Sequence, residues 1–165
     1  MEQEKLAIRS LFLRQVFDYW SAQRRGRRLP RRTDIDPNAI KLALPHIFLV
    51  EVERTGDIDF VFRVAGTFLE AAFHEPLTRK HVTEMKLDDH KEEIVAQYRR
   101  VVAERRPILS RHHFTNEDNL IFDYERLLLP LAVGDDERVD MILGAVCFDS
   151  PVPTPRLGDL AGRAG

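Results

Sequence analysis

Residues 47–67 read IFLVEVERTGDIDFVFRVAGT, and their period decides the fold. From Ile47 to Arg54, Phe48, Val50 and Val52 share one side, while Glu51 and Glu53 take the other. From Ile58 to Ala65, Ile58, Phe60, Phe62 and Val64 form one apolar side. Alternation with period two marks a strand with one buried face. Thr55-Gly56-Asp57 is a short, glycine-bearing link, so the two runs predict a β-hairpin.

Toward the C-terminus, Gly66 to Phe73 carries Phe68, Leu69, Ala72 and Phe73 at helical spacing, and Pro76 ends it. A longer helix is predicted from Asp89 to Arg105, with Ile94, Val95, Tyr98, Val101 and Val102 as its stripe. Asp88 or Asp89 can cap it, and Asp89 with Glu92 fits a capping box. Three more strands follow: Ile108 to Thr115, Ile121 to Leu131, and Val139 to Asp149. The stretches 116–119 and 134–137 between them are turn-rich. Two early strands, a helical crossover and three later strands predict an α+β fold. Its sheet is five-stranded and antiparallel, with the intervening helices on one face. The expected core is Phe60, Phe62, Val64, Ile94, Tyr98, Leu128, Leu143 and Ala145.

Toward the N-terminus, an amphipathic helix is predicted from Lys5 to Arg24. Ile8, Leu11, Phe12, Val16, Tyr19 and Trp20 form its stripe. So broad an apolar face predicts a partner or dimer contact through Ile8, Phe12, Val16, Tyr19 and Trp20. A basic run from Arg24 to Arg32 follows, broken by Gly26 and Pro30. Asp36 and Pro37 then open a short helix that stops before Pro45. The expected organisation is an N-terminal helix and connector (1–33), a domain (34–149) and a disordered tail (150–165) rich in Pro, Gly and Arg.

The bulk properties bound the function. At 165 residues the chain has room for one domain with a real core. A net charge of −2 does not suit a bulk nucleic-acid binder. No apolar run approaches the roughly 20 residues that span a membrane. The single cysteine, Cys147, fits a reducing compartment, and the cytoplasm is the expected location.

The order of elements is that of PAS domains. Trp20 to Pro37 (WSAQRRGRRLPRRTDIDP), Leu44-Pro45, Arg63 to Thr67, Leu77-Thr78, Tyr124 to Leu131 and Gly144 also resemble a PAS-type domain family. Its members are small, largely uncharacterised bacterial proteins. The resemblance covers residues 8 to 149. It implies a sensory or protein-interaction module in signalling and specifies no ligand. That family carries an aromatic-Gly pair before its Leu-Thr and a glycine after it, where His74 and Arg79 stand here.

The chemistry-bearing residues support no catalytic set. His112 and His113 are adjacent on a strand and point to opposite faces. His74 and His81 lack a neighbouring Cys or carboxylate set at a recognised ligand spacing, so no metal is expected. His90 opens the long helix, where some haem-binding PAS domains carry an axial histidine; a solvated histidine is the ordinary case there. Light-oxygen-voltage flavin domains need their cysteine on a helix, whereas Cys147 lies on the last strand. Glu125 beside Arg126 reads as a strand ion pair. Arg27 with Arg31, and Arg28 with Arg32, give the Arg-x-x-x-Arg spacing with which PilZ domains bind cyclic di-GMP. The Asp/Asn-x-Ser-x-x-Gly that PilZ domains also need is missing. The candidate cavity, for an unknown small ligand, is lined by Phe62, Phe68, Leu69, Phe73, Tyr98, Phe114, Tyr124 and Leu143. The competing readings are a cyclic-dinucleotide or nucleic-acid binder through the arginine-rich connector and a small-cavity enzyme.

Overall fold

The computed structural model describes residues 6–86, 90–115, 121–134 and 137–149. The caps expected at Asp88 and Asp89, the turn at 116–119, part of the 134–137 turn and the tail after 149 lie outside the described residues. Five strands form one antiparallel sheet: β1 (Ile47–Glu53), β2 (Asp59–Ala65), β3 (Ile108–Thr115), β4 (Ile121–Leu131) and β5 (Met141–Phe148). Their spatial order is β2-β1-β5-β4-β3. Helices α2 (Thr67–Phe73) and α3 (Lys91–Glu104) come from the crossover and cover one face. There Phe60 of β2 meets Tyr98 of α3, ring centroids 5.4 Å apart.

The N-terminal helix α1 (Leu11–Gln23) covers the opposite face. It begins at Leu11 because the Ser10 hydroxyl accepts the Leu13 N–H (3.2 Å), a serine N-cap. Ile8 therefore precedes the helix but is still buried. The buried side of α1 is centred on Leu13, Val16 and Trp20, with Phe12, Phe17 and Tyr19 at its margins. Leu11 points outward, 75% exposed. The Trp20 indole N–H donates to the Pro130 carbonyl at 2.9 Å. Of the residues expected at a partner contact, Ile8, Val16 and Trp20 are buried against the chain's own sheet, and Phe12 and Tyr19 are partly buried. One continuous core includes α1 and Leu29 of the connector with the strands.

The connector is ordered by its own charges. The Arg27 guanidinium pairs with the Asp34 carboxylate, which also accepts the Arg31 amide at 2.7 Å. These contacts, the amide first, hold the Asp34 carboxyl below its usual range. The Arg32 amide donates to the Ala132 carbonyl (2.8 Å) and the Ala132 amide to that of Pro30 (3.0 Å), stitching the connector to the end of β4.

Two side chains depart from the expected faces for identifiable reasons. Between Leu49 and Val50 the register with β2 shifts: Leu49 faces Val64, but Val50 faces Phe62. The extra residue is a β-bulge, which reverses the alternation, so Val64 is 55% exposed instead of in the core. Leu143 and Ala145 are buried, but beneath α1 rather than beneath α2 and α3, because they pair with Leu129 and Leu127 on the Glu125 side of β4. Gly144 faces α2 and α3 and lies under the Phe48 ring; a Cβ there would stand 1.9 Å from Phe48 Cζ.

His74 (φ +54°) and Arg79 (φ +74°) both adopt the left-handed conformation that favours glycine. His74 closes α2, and Arg79 is the third residue of a turn closed by Lys80 N–H to the Leu77 carbonyl (2.9 Å). The turn persists without its glycines because Arg79 N–H also donates to the Phe62 carbonyl at 2.7 Å.

Two outcomes follow from this packing. Trp20→Ala removes a buried ring and a hydrogen bond, and should lower the unfolding free energy by about 3–5 kcal/mol in urea titrations. Arg79→Gly relieves a left-handed side chain on an exposed turn, and should raise it by about 1 kcal/mol.

Candidate functional site

Between the sheet and the α2–α3 layer, Phe48, Phe62, Leu69, Phe73, Leu77, Met85, Ile94, Tyr98, Tyr124, Arg126 and Val146 surround a void of about 20 Å³. That is room for about one water. Of the expected lining, Phe62, Leu69, Phe73, Tyr98 and Tyr124 meet here. Two do not. Phe68 turns aside onto His46 (4.2 Å between centroids) and Phe148 (5.8 Å). Leu143 lies on the other face of the sheet. Phe114 pairs with Phe122 in β3, and its side chain falls outside the described set.

The feature missed by the sequence reading is Arg126. It alternates with Tyr124 on β4, so the same period that places Tyr124 in the pocket places Arg126 beside it. The side chain is 4% exposed. Its guanidinium lies over the Tyr98 ring, 5.2 Å from the centroid, and bonds to Gln97 Oε1. Its Nε is buried without a hydrogen-bond partner. No carboxylate of the described residues forms an ion pair with it.

Gln97 Oε1 is shared. It also lies 3.2 Å from His112 Nε2, which is 2.9 Å from Ser110 Oγ. Burial, with Arg126 as the next contributor, pushes the His112 imidazole down to about 4, so it is neutral near pH 7. Burial also pushes the Tyr98 phenol up to about 12. Burial likewise lowers His46, whose Nδ1 is unpartnered.

The neighbouring carboxylate, Glu125, is 3% exposed on the opposite face. It accepts the Arg9 and Ser10 amides (3.2 and 3.1 Å) and the Arg111 guanidinium (2.8 Å). It therefore pairs with the neighbouring strand, as expected of it, and anchors the start of α1. Cys147 stands opposite Glu125, while its neighbour Val146 lines the pocket.

The remaining candidates disperse. Arg27 is engaged with Asp34, and Arg28 lies 3.8 Å from Glu137. Arg31 and Arg32 are seen mainly through their backbone bonds to Asp34 and Ala132. His90 precedes α3 and lies 3.2 Å from His113, ring nitrogen to ring nitrogen, away from the pocket. His81 is not isolated from carboxylates: it faces Glu53, Asp59 and Glu84, and Glu53 foremost raises its pKa.

The PAS domain family model matches residues 8–147, and the chain belongs to that family. No curated protein matches the chain. Among solved structures it is similar to the Rhodobacter sphaeroides light-oxygen-voltage protein, with 13% identity, 70% of this chain and 69% of that chain covered, and a TM-score of 0.50. It is also similar to a light-oxygen-voltage domain studied with a flavin analogue: 14% identity, 68% and 83% covered, TM-score 0.52. At these identities the likeness is one of fold. No helix among the described residues is long and apolar enough to cross a membrane.

His112 sets a pH dependence. Its folded pKa lies below its ordinary value, so the unfolded chain takes up the proton first. Stability then falls as pH drops from about 6.5, and this contribution levels off near 4. His46 acts with the same sign, so a variant is the clean comparison. His112→Gln should flatten the loss across that window in urea unfolding curves collected as a function of pH.

Proposed function

We propose that this PAS domain is a non-catalytic sensory or protein-interaction module of bacterial signalling, and that its input is a small organic anion bound at Arg126. One observation carries the reading: a buried guanidinium with an unpartnered Nε, set in an aromatic pocket and ion-paired with no carboxylate among the described residues. Burying a charge without its counter-charge costs several kcal/mol, and a ligand carboxylate would offset that cost. A guanidinium fork suits a carboxylate in bidentate contact. Phe48, Phe62, Phe73 and Tyr124 suit an apolar or aromatic body behind that acid group.

The void of about 20 Å³ requires the pocket to open for such a ligand. Met85 lines it with a flexible side chain that repacks easily. The cysteine chemistry of a flavin-binding light-oxygen-voltage domain does not fit this pocket, because Cys147 lies on the opposite face of β5 from Val146, which lines it. Against an enzyme, the described residues that line the pocket include no acid–base pair. Tyr98 holds its proton to about 12, and Arg126 is a permanent cation. The output side is α1, whose start is held by Glu125, the residue next to Arg126. A second copy or a signalling partner would read α1 from its outward side.

Native mass spectrometry of the chain purified from its own host should show a small acidic adduct, absent from Arg126→Met. A panel of monocarboxylates should raise the melting temperature of the wild type and leave that of Arg126→Met unmoved. Without ligand, Arg126→Met should be as stable as the wild type or more so, by up to about 4 kcal/mol. A wild type with no adduct and no carboxylate-dependent shift would refute the anion reading.

A further inference from the structure

Glu53 ends β1 and Asp59 begins β2, and the two are cross-strand partners. His81 reaches them from the turn after α2. Its segment is pinned to β2 by a Val61–His81 bridge and by Phe62 N–H to the Lys80 carbonyl (2.9 Å). The ring Nε2 lies 3.2 Å from Glu53 Oε2 and 3.6 Å from Asp59 Oδ2. Two donors about 2.05 Å from one tetrahedral ion stand about 3.3 Å apart. One ligand atom from each residue lies within 4.8 Å of the others.

Each donor is also aimed. Asp59 Oδ1 accepts the Phe60 amide at 2.8 Å, which turns Oδ2 toward His81. Glu84 Oε2 accepts the His81 amide (2.7 Å) and lies 3.3 Å from its Nδ1. A carboxylate on one imidazole nitrogen fixes the ring and leaves the other for a metal. Three carboxylates thus surround a single imidazole. The nearest basic side chains are engaged elsewhere: Lys80 with Glu75 (2.9 Å), Arg63 with Glu51, Arg54 with Asp140 (3.2 Å). Even a protonated His81 leaves the cluster negative.

We propose that Glu53, Asp59 and His81 bind a divalent transition-metal ion of the zinc class, with Glu84 orienting the histidine. The mixed nitrogen and oxygen donors select zinc over magnesium or calcium, which prefer all-oxygen shells. All three ligands are partly exposed, so water completes the coordination. The ion staples the β1–β2 hairpin to the segment between Leu77 and Met85, both of which line the pocket. None of the ligands lines that pocket, so the site stands or falls independently of the anion reading.

The test is titration of the full chain with Zn²⁺ at neutral pH by calorimetry, with Co²⁺ absorption as a second readout. The wild type should bind one ion per chain with micromolar affinity, gain thermal stability, and give the visible bands of tetrahedral Co²⁺; excess Mg²⁺ should not compete. Asp59→Asn and His81→Gln should lose the binding and the bands, and Glu84→Gln should weaken binding roughly 10–100-fold. Asp59→Asn is near-isosteric and keeps an acceptor for the Phe60 amide, so it remains informative if His81→Gln does not fold. No zinc binding by the wild type would overturn the proposal. So would binding that survives both ligand substitutions, which would place the ion at another pair such as His90 and His113.

Discussion

Glu125 and Arg126 are consecutive on β4, carry opposite charges, are both buried, and do not pair with each other. The pleat sends them to opposite faces of the sheet, and each must find its partners there. A buried carboxylate is tolerated only when donors surround it. Glu125 obtains two from the backbone entering α1 and a third from Arg111 of β3. Free amides at the start of a helix are natural donors to an anion. The far end of α1 is fixed to the same strand by the Trp20–Pro130 bond. The position of the N-terminal helix thus follows from β4 at both ends, and with it the burial of Leu13, Val16 and Trp20.

Arg126 makes the opposite demand on the other face. Gln97 and Tyr98 of α3 supply one acceptor and one ring, and Nε remains without a partner. The two faces therefore differ in kind: the buried carboxylate on the α1 side has three donors, and the buried guanidinium on the α2–α3 side is one acceptor short. The position that a ligand acid group would fill is thus one residue along β4 from the carboxylate that holds α1.

How much of this was legible in the sequence follows from the periods. The hairpin was readable because β1 and β2 alternate cleanly, with Glu51 and Glu53 marking the second side. β4 and β5 are covered on both faces, so Leu127, Leu128 and Leu129 are all buried and hydrophobicity no longer tells one side from the other. That is why Leu143 was expected in the pocket and Val146 was not. Val64 was misread because a bulge adds a residue that period two cannot anticipate. In α1 the chosen stripe lay to one side of the buried one, since Leu13 and Phe17 widen the apolar arc until several stripes fit it. Arg126 is legible from its parity with Tyr124, but a charged side chain ordinarily marks a strand position as solvent-facing. The Glu53–Asp59–His81 cluster has no sequence spacing to find, because a strand end, a strand start and a distant turn supply one ligand each.

The turn that brings those parts together is itself held against its preferences. His74 and Arg79 occupy left-handed conformations that cost side chains roughly 1–2 kcal/mol each. Such strain persists only where surrounding contacts over-determine the backbone. Here they do. Glu70 Oε1 accepts the Leu77 amide at 3.0 Å, and buried Glu75 binds Lys80 Nζ (2.9 Å) and the Lys86 amide (3.2 Å). Phe62 of β2 exchanges backbone bonds with Arg79 and Lys80 on the edge of the sheet. The segment is therefore fixed from both sides, with Leu77 directed into the pocket and His81 toward the hairpin carboxylates. Relaxing it with glycine would ease the backbone without releasing the segment, because the Glu70 and Glu75 contacts and the β2 backbone bonds hold it independently of one another.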